Sequence, residues 1–181
     1  LYGAIGNIDA SSSVSMAVSN SPVCPGAVYL VWSSMTAVGG AEIWFSASFA
    51  GGTPGSFAPA VRVNQDPFTF NHQWAPSIEV NPMAGEIIVT YYDRRNDPAN
   101  LATEVYRSVS CDCGLSWQDA PVSDAGPVPA FSSLIGGGSF LPYLGDYLGT
   151  DLNMASATPA YVWNDGRIGL DQDIWFENIN P

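Results

Sequence analysis

The chain contains no lysine. Apart from His72, its basic side chains are Arg62, Arg94, Arg95, Arg107 and Arg167, set against 17 acidic residues for a net charge of −12. Nucleic-acid binding needs clustered cations that displace counterions from phosphate, so this balance excludes nucleic acid as an expected partner. Anionic membrane surfaces repel such a chain for the same reason. Charged residues of both signs amount to only 12%, whereas helical proteins carry more Glu, Lys and Arg on their surfaces. Cysteine is also scarce: Cys24, Cys111 and Cys113. A bridge from Cys24 to either of the others leaves an odd thiol. Zinc would need a fourth ligand, and no motif surrounds His72, so that histidine reads as a loop residue and no metal centre is expected there. No apolar run approaches the roughly 18 residues of a membrane span, so no membrane insertion is expected. The longest, EIIVTYY from Glu86 to Tyr92, is strand-sized.

What is present points to one strand-rich domain. Hydrophobic residues make up 46% of 181 and aromatics 12%, enough for one real core, while 18 glycines and 14 prolines imply many turns. Low charge with abundant Ser, Thr, Asn and Gly suits a secreted, extracellular protein. The chain opens on Leu1 with no signal-peptide pattern before it, and reads as a processed or trimmed piece of something longer.

The chain repeats itself. EIWFSAS (Glu42–Ser48) matches EVYRSVS (Glu104–Ser110) at a shift of 104 − 42 = 62, and SMAV (Ser15–Val18) falls on SIEV (Ser77–Val80) at the same shift. GAVYLVWSS (Gly26–Ser34) answers GEIIVTYYD (Gly85–Asp93) at 59, and AYVWND (Ala160–Asp165) and DIWFEN (Asp173–Asn178) form a third copy. Each segment is short, rich in Val, Ile, Tyr, Trp and Phe, and bounded by Gly, Pro, Asn or Asp, which marks a strand. The expected strands are 14–18, 27–33, 41–48 and 60–64 in the first copy, and 76–80, 86–92, 102–109 and 117–122 in the second. The third gives 146–151, 159–164 and 173–179. Four antiparallel strands recurring at about 60 residues make a β-propeller blade. A β-sandwich would not require the segments to recur in register. The expected fold is an all-β propeller portion with about three blades, near 10–66, 72–124 and 141–181, the last lacking its outer strand.

Between the third and fourth strands of the second copy lies SCDCGLSW, Ser110–Trp117. Asp112 can accept backbone N–H bonds across its own turn, Ser110 can do so more weakly, and Gly114 can take positive φ. Trp117 then returns to bury a large apolar surface. The first copy holds a worn version, with Ser48 over Ser110, Ala50 over Asp112, Gly52 over Gly114 and Phe57 near Trp117. Losing the aspartate in one copy while keeping the rest suits a folding device better than a catalytic one.

The pattern S-x-D-x-G-x-[ST]-W resembles the Asp-box, the bacterial neuraminidase repeat. The phrases VRVNQDP, WAPSIEVNP, VTYYDRRNDP and AYVWNDGR…DQDIWF are similar to those of secreted bacterial proteins of the sialidase-like propeller superfamily, over nearly the whole chain from Ser15 to Ile179. The resemblance implies a six-bladed propeller in which the box lies away from the active site. Sialidases of that superfamily grip a carboxylate with three arginines and use a glutamate-activated tyrosine as nucleophile and an aspartate as acid/base. The Arg-Ile-Pro element that usually supplies the first arginine is absent here, and VRVN around Arg62 sits at the wrong place in its blade.

Candidate ligand-binding residues follow the second strands of two blades: Asp93, Arg94 and Arg95, then Asp165 and Arg167. Equivalent loops leave a propeller on one face, so the sets could converge on one mouth, where paired guanidiniums hold a carboxylate. The plainer reading is that Asp93 and Arg95 tie the loop by local salt bridges. Retaining chemistry would need two carboxyl groups about 5 Å apart or the tyrosine variant, and Tyr91, Tyr92 and Tyr106 are better explained as strand residues packing between blades. No cofactor is expected; Asp146 and Asp151 in LGDYLGTD are weak calcium candidates that read more simply as turn caps.

A propeller closes with at least about four blades. Three therefore need a partner, either an N-terminal half absent from this sequence or a second copy, and AIGNID (Ala4–Asp9) could supply the missing outer strand of some blade. The function expected is an extracellular scaffold or glycan-contacting module without a complete catalytic set. The alternatives are the C-terminal half of a glycoside hydrolase of exo-sialidase type and a structural assembly protein that uses its open edges.

Overall fold

The computed structural model describes residues 2–5, 8–11, 14–37, 39–67, 70–129, 148–153, 156, 158–167 and 173–178. Among them there is no helix. Three antiparallel sheets follow one another along the chain. The first runs in order β3 (Ser15–Val18), β4 (Val28–Met35), β5 (Ala41–Ser48) and β6 (Val61–Arg62). The second contains β7 (Gln73–Val80), β8 (Ile87–Asp93), β9 (Ala102–Ser110) and β10 (Gln118–Pro121), with β11 (Val128–Pro129) pairing on the far end of β9. The third has β12 (Gly149–Asn153), β13 (Thr158–Asp165) and β14 (Asp173–Asn178). Each sheet meanders strand to neighbouring strand, as a propeller blade does, and the repeat read from the sequence falls on equivalent strands.

Register makes the repeat physical. The cross-strand pairs Trp32–Trp44, Tyr91–Tyr106 and Trp163–Trp175 occupy the same position in the three blades, where directly opposed aromatics stabilise a sheet. Strand β8 is buried along its whole length, which explains why EIIVTYY is continuously apolar: it is covered on both faces. Ile87, Val89 and Tyr91 join Tyr29, Val31, Ile43 and Phe45 in the core between blades one and two. Ile88 and Tyr92 join Trp74, Tyr161 and Trp163 in the core between blades two and three.

Two features depart from the sequence reading, and the cysteine pairing it left open takes one of its two forms. The segment at the start forms its own hairpin, β1 (Tyr2–Ile5) with β2 (Ile8–Ser11), and among the described strands it pairs with no blade. Strand β11 is an addition, because VP is too short to show a strand pattern. Cys24 bridges to Cys113 with Cα atoms 6.4 Å apart, and Cys111 is the odd thiol, exposed. The bridge staples the β3–β4 turn of blade one to the turn after β9 in blade two.

The two ends of the stack remain apolar. Blade one presents Val14, Met16 and Val18, with Met16 62% exposed, and blade three presents Val162, Ile174 and Phe176, with Ile174 77% exposed.

Candidate functional site

Strands β8 and β13 end on equivalent aspartates, and each is followed two residues later by an arginine. The Asp93 side chain is fully buried. Its carboxylate accepts from the Arg95 backbone N–H at 2.6 Å, from Arg95 Nε at 2.7 Å and from Gln73 Nε2 at 3.2 Å. The Arg95 guanidinium also donates to Asp119 at 2.6 Å and to Tyr91 Oη at 3.1 Å, pairs with Asp66 at 3.6 Å, and stacks 4.2 Å from the Tyr106 ring centre. Blade three repeats the arrangement. Asp165 accepts from Arg167 through the backbone N–H at 3.1 Å and Nη2 at 2.6 Å, while Arg167 also pairs with Asp124 and lies 4.0 Å from the Trp175 ring centre. Asp66 and Asp124 hold corresponding places, each following the outer strand of the preceding blade. Each arginine therefore clips its own blade to the connection arriving from the blade before it.

Arg94 turns the other way and is 1% exposed. Its Nη1 donates to the Asn100 carbonyl at 2.8 Å and its plane lies 4.9 Å from the Trp74 ring centre. Tyr92 Oη accepts from the Asn164 N–H at 3.1 Å, so the two loops leave the same end of adjacent sheets. The cleft between them, lined by Tyr92, Glu104, Trp163 and Asp165, holds about 10 Å³, the room of a single water.

Burial pushes the Asp93 carboxyl up to about 6, with Arg95 opposing the shift. Burial also works against the charge on Arg95, but Asp93 outweighs it and holds the guanidinium protonated. The Tyr91 phenol is pushed well up by burial, the reverse of an activated nucleophile. His72 is lowered to about 4 by burial and then by Arg94, and its Nδ1 accepts from the Ala41 N–H at 3.2 Å, joining blade two to blade one. These groups can hold loops and blades in place. Among the described residues no cluster of three His, Cys, Asp or Glu could hold a metal. Asp151 is exposed, with its Oδ1 accepting from the Leu152 N–H at 2.7 Å; Asp146 lies outside the described residues.

The Ser110–Trp117 turn sits at the opposite end of β9. Ser110 Oγ accepts from the Gly114 N–H at 2.9 Å, and Asp112 Oδ1 accepts from the Ser116 N–H at 2.8 Å. The hydrogen bonds from Ser116 hold the Asp112 carboxyl down to about 2. Trp117 packs edge-on to Phe45 of blade one, with ring centres 5.1 Å apart. In the worn copy Ser48 Oγ still accepts from the Gly52 N–H at 3.0 Å, so the serine-to-glycine bond survives the loss of the aspartate.

No family model matches the chain, and no curated protein matches it in sequence. Solved structures do. The protein named "Hadza microbial sialidase Hz136" aligns over 94% of this chain at 15% identity with a TM-score of 0.57. The chain has a sialidase-like fold. It spans 36% of that sialidase's length. A protein named "Glycoside hydrolase" aligns over 86% of this chain and 41% of its own at 8% identity, with a TM-score of 0.42.

Within this sialidase-like fold, both Asp-x-Arg pairs are visible in the sequence, whereas their outer partners Asp66, Asp119, Asp124 and Gln73 are not. Those four lie on connections of unequal length or on other strands, so no spacing in the sequence ties them to Arg95 or Arg167.

Proposed function

We propose that the chain is a run of blades from an extracellular propeller that contacts glycans as a module or scaffold, without a complete catalytic set of its own. The observation that carries this reading is the closure of Arg94, Arg95 and Arg167 on protein partners, which leaves the candidate mouth a structural clasp. The sialidase-like fold supports a carbohydrate ligand, and the Cys24–Cys113 bridge supports export, since disulfides persist in oxidising compartments. Further blades complete the ring by covering the two apolar end faces; they come from an absent N-terminal half or from a second copy. No cofactor enters the reading.

A second reading is favoured by one fact: the chain corresponds to 36% of the length of a sialidase. Here the chain is the C-terminal half of a glycoside hydrolase, and the other catalytic groups lie in the remaining blades. An assembly role finds its support in the apolar edge strand β14. The deciding experiment is a titration with sialylated and neutral glycans, run beside hydrolysis of a fluorogenic sialoside. Saturable binding without turnover is the expected result. Turnover by this chain would overturn the module reading, and neither binding nor turnover, with filaments in its place, would favour assembly.

A further inference from the structure

The seam between blades one and two is built from matched apolar rows. Val31, Ile43 and Phe45 of blade one pack with Ile78, Val80, Ile87, Val89, Tyr91 and Tyr106 of blade two in one buried core. Strand register gives each row a counterpart at a free end of the chain. Val31 opposite Phe45 corresponds to Val162 opposite Phe176 in blade three, and Ile43 corresponds to Ile174. On blade one, Met16 opposite Leu30 corresponds to Ile78 opposite Val89, Val18 opposite Val28 to Val80 opposite Ile87, and Trp32 opposite Trp44 to Tyr91 opposite Tyr106. Every counterpart is apolar and none is charged. The seam between blades two and three is of another kind: at the register of Val31 and Phe45 it carries Thr90 and Arg107, and Arg107 Nη1 donates to Tyr161 Oη at 3.1 Å.

The two free faces are therefore the two sides of a seam of the first kind, one at each end of the chain. Their sizes fit each other as well. In the seam that is formed, Ser15 of blade one lies against Ile78, its Oγ accepting from the Ile78 N–H at 3.3 Å. The counterpart of Ser15 is Gly149, opposite Val162, and the counterpart of Ile78 is Met16. A smaller residue on one end thus answers a longer one on the other. A hollow of about 280 Å³ lies beside Gly149, Val162 and Ile174.

We propose that a second copy of this chain binds head to tail, the Val162, Ile174 and Phe176 face of each copy on the Met16, Leu30 and Trp32 face of the other, with Met16 seated in the hollow beside Gly149. The proposal rests on reading the sheets as propeller blades, and it selects the second copy over an absent half because one chain carries both matching faces. Two such heterologous contacts gather about six blades into a closed ring, where an open contact of the same type would build a filament. The contact is apolar while each copy carries a net charge of −12, so added salt strengthens pairing by screening the repulsion between the copies.

Sedimentation velocity and native mass spectrometry across a range of concentration and salt test the pairing on the wild type, Met16→Glu, Ile174→Glu and an equimolar mixture of the two variants. Both side chains are mostly exposed, so unchanged melting temperatures verify the fold of each variant. The wild type is expected to pair. Each variant alone should pair at least about tenfold more weakly, since every seam would then bury an unpaired carboxylate. The mixture should pair more tightly than either variant alone, through the one seam whose two faces are intact. Met16→Glu pairing as tightly as the wild type would overturn the head-to-tail arrangement, because it would show like faces meeting. A wild type that stays a single chain at every concentration and salt would overturn the second copy as partner, while the glycan titration would still decide the module reading by itself.

Discussion

Replacing Gly114 with alanine tests whether the Ser110–Trp117 turn is architecture. Gly114 has φ +92°, and a Cβ built there would overlap Phe45 Cε1 and lie 2.6 Å from Cζ. The ring has little freedom to yield, since it packs edge-on to Trp117 and lies 5.5 Å from Tyr29. The left-handed backbone costs about 1–2 kcal/mol for a residue with a Cβ, and overpacking a tight core adds about 1–3 kcal/mol. A loss near 3 kcal/mol corresponds to a fall in Tm of about 6–12 °C for a chain of this size. Gly55→Ala is the control: its φ is +80° but nothing lies within 4 Å of the added carbon, so only the backbone cost of about 1–2 kcal/mol remains. Urea unfolding and thermal melts of both variants, with the disulfide intact, give the comparison. Equal losses would refute the reasoning, because they would show that Phe45 and the turn are not packed as a unit across the two blades.

Further outcomes follow from the same contacts. Asp93 has its folded pKa raised to about 6 by burial, so the native state binds that proton more tightly than the unfolded chain. Its contribution is full below about pH 4, the unfolded carboxyl value, and is lost as pH rises through 6; Asp93→Asn should remove that part of the stability–pH slope, and an unchanged difference between pH 4 and 7 would count against it. Cys24→Ser opens a cross-link of sequence separation 89, for which loop entropy gives a loss of about 4–5 kcal/mol, readable as a lower urea midpoint that reduction of the wild type reproduces. The end faces predict self-association of the chain at twice 19.2 kDa by native mass spectrometry, abolished by the double variant Ile174→Glu, Phe176→Glu; a wild-type mass of one chain would show that three blades stand alone.

The blades were legible because strand pairing writes itself into sequence twice, as residue type and as register. Glu42–Ser48 and Glu104–Ser110 could be laid on one another because both are third strands with the same faces to cover, and the structure places β5 and β9 there. The Asp-x-Arg pairs were legible for the same local reason, two residues apart at a strand end. Their meaning was not, since Arg95 is claimed by Asp66 and Asp119 from elements 29 and 24 residues away, by 95 − 66 and 119 − 95. Arg107 shows the limit from the other side: its departure from Phe45 can be seen in the repeat, but its bond to Tyr161 exists only once two blades are packed.

The sequence by itself determined the all-β class, the strand positions, the repeat and the Ser110–Trp117 turn, because each rests on contacts among near neighbours or on alternation along one strand. Tertiary structure decided which cysteines meet, which arginines are spent on clasps, and which faces are left uncovered. Those depend on the packing of one sheet against the next, where the partners of a side chain come from segments whose separation along the chain carries no fixed rule.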